Sequence, residues 1–202
     1  MAVHDLIKEY MSKHQRIIFN GNGYSDEWVK EAARRGLPNI PSMVEAVETL
    51  TTDKSIKLFE KFHIFTKAEL ESREEILYET YAKTINIEAL TMIDMASKQI
   101  IPAVIRYSKE LAETVIATKE AGGDSAVASA MLKKVTTKLK EMQNAASVLA
   151  DVERKASAME QGKEQAFYYR NSVVAAMETL RKPADELEKM VGKDYWPFPT
   201  YA

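Results

Sequence analysis

Apolar positions recur at helical spacing along most of this chain, and only short breaks separate the runs. The longest run extends from Thr66 to Ala121. It opens on Thr66-Lys67-Ala68-Glu69, a capping box in which the hydroxyl accepts from the amide at Glu69 and the carboxylate reaches back to the cap. It closes at Gly122-Gly123, which can take the left-handed geometry that ends helices. Its middle, from Ile85 to Ile105, is the most apolar part of the chain. Glu88, Thr91, Asp94 and Lys98 form one narrow polar stripe there, so other elements should cover the helix on most sides. Pro102 lacks an amide hydrogen and predicts a bend rather than an end. After the glycine pair, Asp124 or Ser125 caps a second long helix that reaches about residue 160. Val135, Met142, Leu149 and Ala156 lie seven apart along it, the seam of an antiparallel hairpin folding back on the first helix.

The flanks read as shorter pieces. Residues 3–15 predict an amphipathic helix with Leu6, Ile7, Tyr10 and Met11 on one side. Arg16 to Phe19 is too short to separate strand from coil, and Asn20-Gly21-Asn22-Gly23 is a strong loop signal. Ser25 caps a helix carrying Trp28, Val29, Ala32 and Ala33 that stops at Gly36-Leu37-Pro38. Ser42 caps a short helix through Leu50, and another covers 54–62. Gly162 breaks the second long helix. The next, about 163–182, presents Ala166, Tyr169, Val173, Ala176, Met177 and Leu180 to the bundle. Pro183 fits the first position of a last short helix ended by Gly192. Tyr195 to Tyr201 is an extended aromatic tail, costly to leave in water and read as docked on this chain or on something outside it. The fold class is therefore all-α: an elongated bundle on a long antiparallel hairpin (66–121 and 125–160), with shorter helices at the N-terminal side. Residues 1–65 read as a connecting segment and 66–202 as the long-helix bundle, together one structural unit.

Composition narrows the functional classes. Seven glycines and six prolines in 202 residues suit long helices. A net charge of −2 argues against nucleic acid as a partner, and no apolar run reaches membrane-spanning length. The absence of cysteine excludes disulfides, thiolate metal sites and a cysteine nucleophile, and fits a cytoplasmic setting of bacterial type.

Each candidate site has a simpler competitor. Gly21-Asn22-Gly23 before a helix looks like a phosphate loop, but Asp26 and Glu27 would repel an anion from that helix start, so the turn reading is preferred. Glu60-Lys61-Phe62-His63 has the Glu-x-x-His spacing of di-iron bundles without a second pair, and reads as a helix-end feature. Glu88 and Asp94 could form an acid pair, though Asp94 with Lys98 on a solvated stripe is simpler. Ser125 and Ser129 have no histidine nearby in sequence. Lys133, Lys134, Lys138 and Lys140 form a basic side of the second long helix, read as its solvated face. Phe167 to Arg170 could meet a partner, with core packing of Tyr169 preferred.

Three strings carry a resemblance: Arg16 to Trp28 (RIIFNGNGYSDEW), Lys83 to Ala96 (KTINIEALTMIDMA) and Tyr195 to Tyr201 (YWPFPTY). With Arg35-Gly36-Leu37, Leu58-Phe59-Glu60 and Leu187-Glu188 between them, they resemble the C-terminal part of type III glutamine synthetases. The resemblance implies a piece of a larger enzyme, cut from a longer polypeptide. In that enzyme an upstream catalytic domain binds glutamate, ATP and divalent metal (Mg) and makes glutamine through a γ-glutamyl phosphate, in stacked hexameric rings. None of its catalytic, nucleotide or metal motifs can be placed on these residues, so no catalytic, cofactor-binding or metal residue is assigned and the chain alone is expected to be inactive. Its expected partners are the catalytic domain of the same polypeptide and neighbouring subunits of a homo-oligomer, and its expected role is assembly or regulation. The loop Asn20, Gly21, Asn22, Gly23 and Tyr24 is expected to face that catalytic domain. The rivals are a free-standing helical scaffold and, more weakly, a helical metal oxidoreductase.

Overall fold

The computed structural model describes residues 2–199, and every regular element among them is helical. The chain forms two compact units, residues 1–46 and 47–202. The boundary falls within a five-residue helix, Met43–Val47 (α3), whereas the capping signals at Thr66 mark where the long helix starts.

The first unit contains α1 (Ala2–Lys13), a single 3-10 turn (Gln15–Ile17) and α2 (Asp26–Arg34). Ser25 caps α2 by accepting from the amide of Trp28 at 3.4 Å. The helix ends where Gly36 takes φ +68°, its amide bonding the Ala33 carbonyl and that of Leu37 bonding Ala32. Ser42 does not cap α3 through its side chain: its hydroxyl is buried with no hydrogen-bond partner.

The second unit opens with α4 (Asp53–Lys61), capped by Thr52, and is organised by one continuous helical path, α5 (Lys67–Met95) and α6 (Ile101–Glu120). Both halves of the capping box form, with the Thr66 amide 2.7 Å from the Glu69 carboxylate. Between α5 and α6 lies one π turn, Ala96–Ile100, in which the Ile101 amide reaches back five residues to the Ala96 carbonyl. The extra residue loosens the turn just before Pro102, where the ring would crowd a regular ladder, so the helix runs through the proline. It ends in the 6→1 and 5→2 bonds of a Schellman motif, Gly123 to Thr118 (2.8 Å) and Gly122 to Lys119 (3.0 Å), with Gly122 at φ +74°.

Helix α7 (Ala126–Ser157) returns, three residues shorter than its pattern suggests. The Asp124 carboxylate accepts the Ala126 amide at 2.8 Å, while Ser125 occupies the cap position without a side-chain bond. All four seam residues, Val135, Met142, Leu149 and Ala156, are fully buried, facing Ala82, Ala89, Ala96, Val104 and Leu111 of the long helix within one core. That core also takes Tyr169, Val173, Ala176, Leu180 and Leu187 from the last helical stretch, so α7 is packed by two neighbours rather than one.

Pro183 does not begin a new helix. It lies inside α9 (Val174–Met190), which continues from α8 (Lys163–Tyr168) through a π turn at Tyr169–Val173. Leu180, Pro183 and Leu187 are buried on one face, and that packing outweighs the one backbone bond a proline removes. Nor is the apolar middle of the long helix covered on most sides, because Ile87, Leu90 and Ile105 remain 66%, 49% and 54% exposed. The aromatic tail docks on this unit. Tyr195, Trp196 and Phe198 pack against the core, the Tyr195 ring lies 5.3 Å from that of Tyr107, and its hydroxyl donates to Glu110 at 3.1 Å. Thr200 and Tyr201 lie outside the described residues.

Candidate functional site

The loop 20–24 is held from below by Arg35. Its guanidinium donates to the carbonyls of Arg16 (3.0 Å) and Ile18 and to the Glu31 carboxylate, and it lies 6.0 and 5.9 Å from the ring centres of Phe19 and Trp28. Those rings are themselves 4.7 Å apart. Hydrogen bonds from Arg34, and after it Arg35, hold the Glu31 carboxyl down to about 2. On this base Asn22 shapes the turn: its side chain accepts the Tyr24 amide at 3.0 Å and its carbonyl accepts the Ser25 hydroxyl at 2.8 Å. A Cβ on Gly21 would sit 2.6 Å from the Phe19 ring, so the surface that approaches this glycine is the chain's own aromatic cluster. Gly23 faces open space, and Tyr24 stands fully exposed at the tip. The result is an ordered loop that presents one large amphipathic ring.

His63 takes φ +51° just past the end of α4, with its amide on Glu60 (3.0 Å) and that of Ile64 on Phe59 (3.0 Å). It therefore fills the position that Gly36 and Gly122 fill at the ends of α2 and α6, and Glu60 is exposed. Among the described residues no three His, Asp or Glu side chains gather as a metal site. Asp94 pairs with Lys98, and Glu88 is exposed. Ser125 is buried, and its carbonyl accepts the Ser129 amide at 2.9 Å. Lys138 bridges Glu141 and Glu186, each at 2.8 Å, beside a shallow groove of about 560 Å³ that Lys133, Lys134 and Lys189 also line. The Tyr169 hydroxyl is buried 3.3 Å from the Ser157 hydroxyl, and burial pushes the phenol up.

Sequence reasoning missed Gln165 and Arg35. The Gln165 amide is buried and caps the end of α7 by donating to the Ala156 carbonyl at 3.0 Å. Both residues act on carbonyls distant in sequence, which no local motif reveals.

Geometry thus yields a surface loop and a packed bundle, and inside the bundle the Ser157 hydroxyl lies between the Glu153 carboxylate, to which it donates, and the buried Tyr169 hydroxyl. A sequence profile described as the glutamine synthetase C-terminal domain matches residues 2–119. The chain belongs to the glutamine synthetase C-terminal domain family. Its similarity to curated proteins extends past the matched stretch. It is 41% identical to a glutamine synthetase of Butyrivibrio fibrisolvens over 98% of this chain and 29% of that protein. It is 33% identical to a type-3 glutamine synthetase of Dictyostelium discoideum over 100% of this chain and 28% of that one. A glutamine synthetase of Bacteroides fragilis is 31% identical over 99% and 28%. The chain therefore spans somewhat under a third of the length of these relatives. No helix among the described residues is long and apolar enough to cross a membrane.

Proposed function

We propose that these residues form the helical C-terminal domain of a type-3 glutamine synthetase, a cytoplasmic bacterial enzyme that joins ammonia to glutamate using ATP. In this reading the domain serves subunit assembly or regulation and performs no catalysis by itself. One observation carries it: relatives named glutamine synthetase match nearly all of this chain, yet the match occupies under a third of each of them. A bundle whose buried core is almost wholly apolar, with Gln165 spent on capping α7, suits such an accessory part. No three carboxylates or histidines among the described residues converge as a metal site, and ATP and magnesium would be held by the remainder of the polypeptide.

The partners are then the catalytic part of the same polypeptide and neighbouring copies in a homo-oligomer. The loop Asn20 to Tyr24 is the surface proposed to face the catalytic part. A fixed backbone with an uncovered tyrosine suits an anchor, since the turn is already shaped and only the two torsions of one ring are lost on docking. The test replaces Tyr24 or Gly23 by alanine in the full-length polypeptide and measures glutamine formation and assembly size. Gly21→Ala is a weaker probe, because it also displaces Phe19. Loss of activity or assembly is expected, and wild-type behaviour of both variants would count against this placement of the loop.

A further inference from the structure

Helix α1 divides by face. At about 100° per residue, Val3, Leu6, Ile7, Tyr10 and Met11 share one stripe, Asp5, Lys8 and Glu9 lie on the opposite side, and Lys13 sits at the stripe's edge. None of its residues is buried, and the five apolar side chains are 48–72% exposed. Met11, at the edge of the stripe, borders a groove of about 460 Å³ that Lys8, Ser12, Gln15, Ile18 and Asn20 also line, so this edge approaches the base of the loop described above. An isolated twelve-residue helix is marginal in water, and most helical stability comes from burying an amphipathic face. This one is patterned for burial, and among the described residues none of its apolar side chains is buried.

We propose that the apolar face of α1 is a docking surface for the preceding part of the same polypeptide. The inference rests on the reading of this chain as the C-terminal part of a longer enzyme, and adds a surface which that reading does not assign. The relatives supply the occupant: more than two thirds of their length lies outside the match, and the matched family is a C-terminal domain whose profile begins at residue 2, within α1. A part of the same polypeptide linked to this helix by a short tether would meet it at an effective concentration in the millimolar range, which favours a tethered cover over a diffusing one. The polar face selects against an anionic lipid surface. Asp5 and Glu9 offset Lys8 and Lys13, and Glu9 is paired with Lys13 at 2.5 Å, so no basic face remains for headgroups.

Hydrogen exchange read by mass spectrometry on the full-length polypeptide and on the 202-residue chain tests this. The amides of α1 should exchange at least about tenfold more slowly in the full-length protein. Leu6→Asp in the full-length protein should restore the fast exchange of the short chain, Asp5→Ser should not, and Tyr10→Ser serves if Leu6→Asp fails to fold. Equally fast exchange in both proteins would overturn the proposal. So would protection in the short chain, whether it rises with concentration, as a second copy would cause, or is independent of it, as cover by the chain itself would cause. Glutamine formation by the short chain would refute the functional reading without bearing on α1, so the two failures are distinguishable.

Discussion

Leu149 and Val148 are adjacent aliphatic residues on α7, and the structure assigns them opposite fates. Leu149 is 0% exposed at the centre of the seam, whereas Val148 is 53% exposed. Leu149→Ala removes three carbons from a site with α5–α6 on one side and α9 on the other, where backbone collapse is restricted. Lost transfer free energy plus the residual cavity should cost about 3 kcal/mol, within the 2–5 kcal/mol range of such substitutions. For a unit of this size the melting temperature should fall by roughly 6–12 °C. Val148→Ala removes little buried surface and improves helix propensity, so its effect should stay within about 0.5 kcal/mol. Urea titrations followed by far-ultraviolet circular dichroism would measure both, with an unchanged m-value showing that stability alone has moved. A cost below about 1 kcal/mol for Leu149→Ala, or equal costs for both variants, would refute the seam as drawn.

Other perturbations probe the capping and charge arguments. His63→Gly should raise stability by roughly 0.5–1 kcal/mol in the same titration, because glycine adopts φ +51° without the steric cost borne by a Cβ, less its greater unfolded-state entropy. Gly122→Ala should lower stability by about 1–2 kcal/mol for the same reason at φ +74°. The Glu31 carboxyl is held at about 2, below its ordinary 4.5, so the stability it adds to the first unit is present above pH 4.5 and is lost as pH falls toward 2. In a Trp196→Phe background, Trp28 fluorescence should report loosening across that window, and Glu31→Gln should flatten the pH response. Identical profiles for the two proteins would contradict the role given to Arg34 and Arg35.

Much of this fold was legible because its signals are local. The Thr66 capping box, the glycines at 36 and 122 and the seven-residue seam of α7 each depend on residues within a turn or two of one another. What escaped depends on distant partners. Pro183 looks like a helix start until Leu180 and Leu187 are found buried beside it. Ile87, Leu90 and Ile105 are as apolar as Ala89 and Val104, so periodicity alone could not tell which of them α7 and α9 would reach. The glycine-rich loop was visible as a loop. That Gly21 yields to Phe19 while Tyr24 stands clear follows from the Arg35 cluster, which draws on residues up to twenty positions apart.

The proposed reading assigns glutamine formation to the part of the polypeptide outside these 202 residues. The most direct measurement is glutamine formation from glutamate, ammonia and ATP by the purified chain beside the full-length polypeptide at equal molar concentration. Turnover is expected from the full-length protein and none above background from the chain alone. Measurable turnover by the chain would contradict that reading.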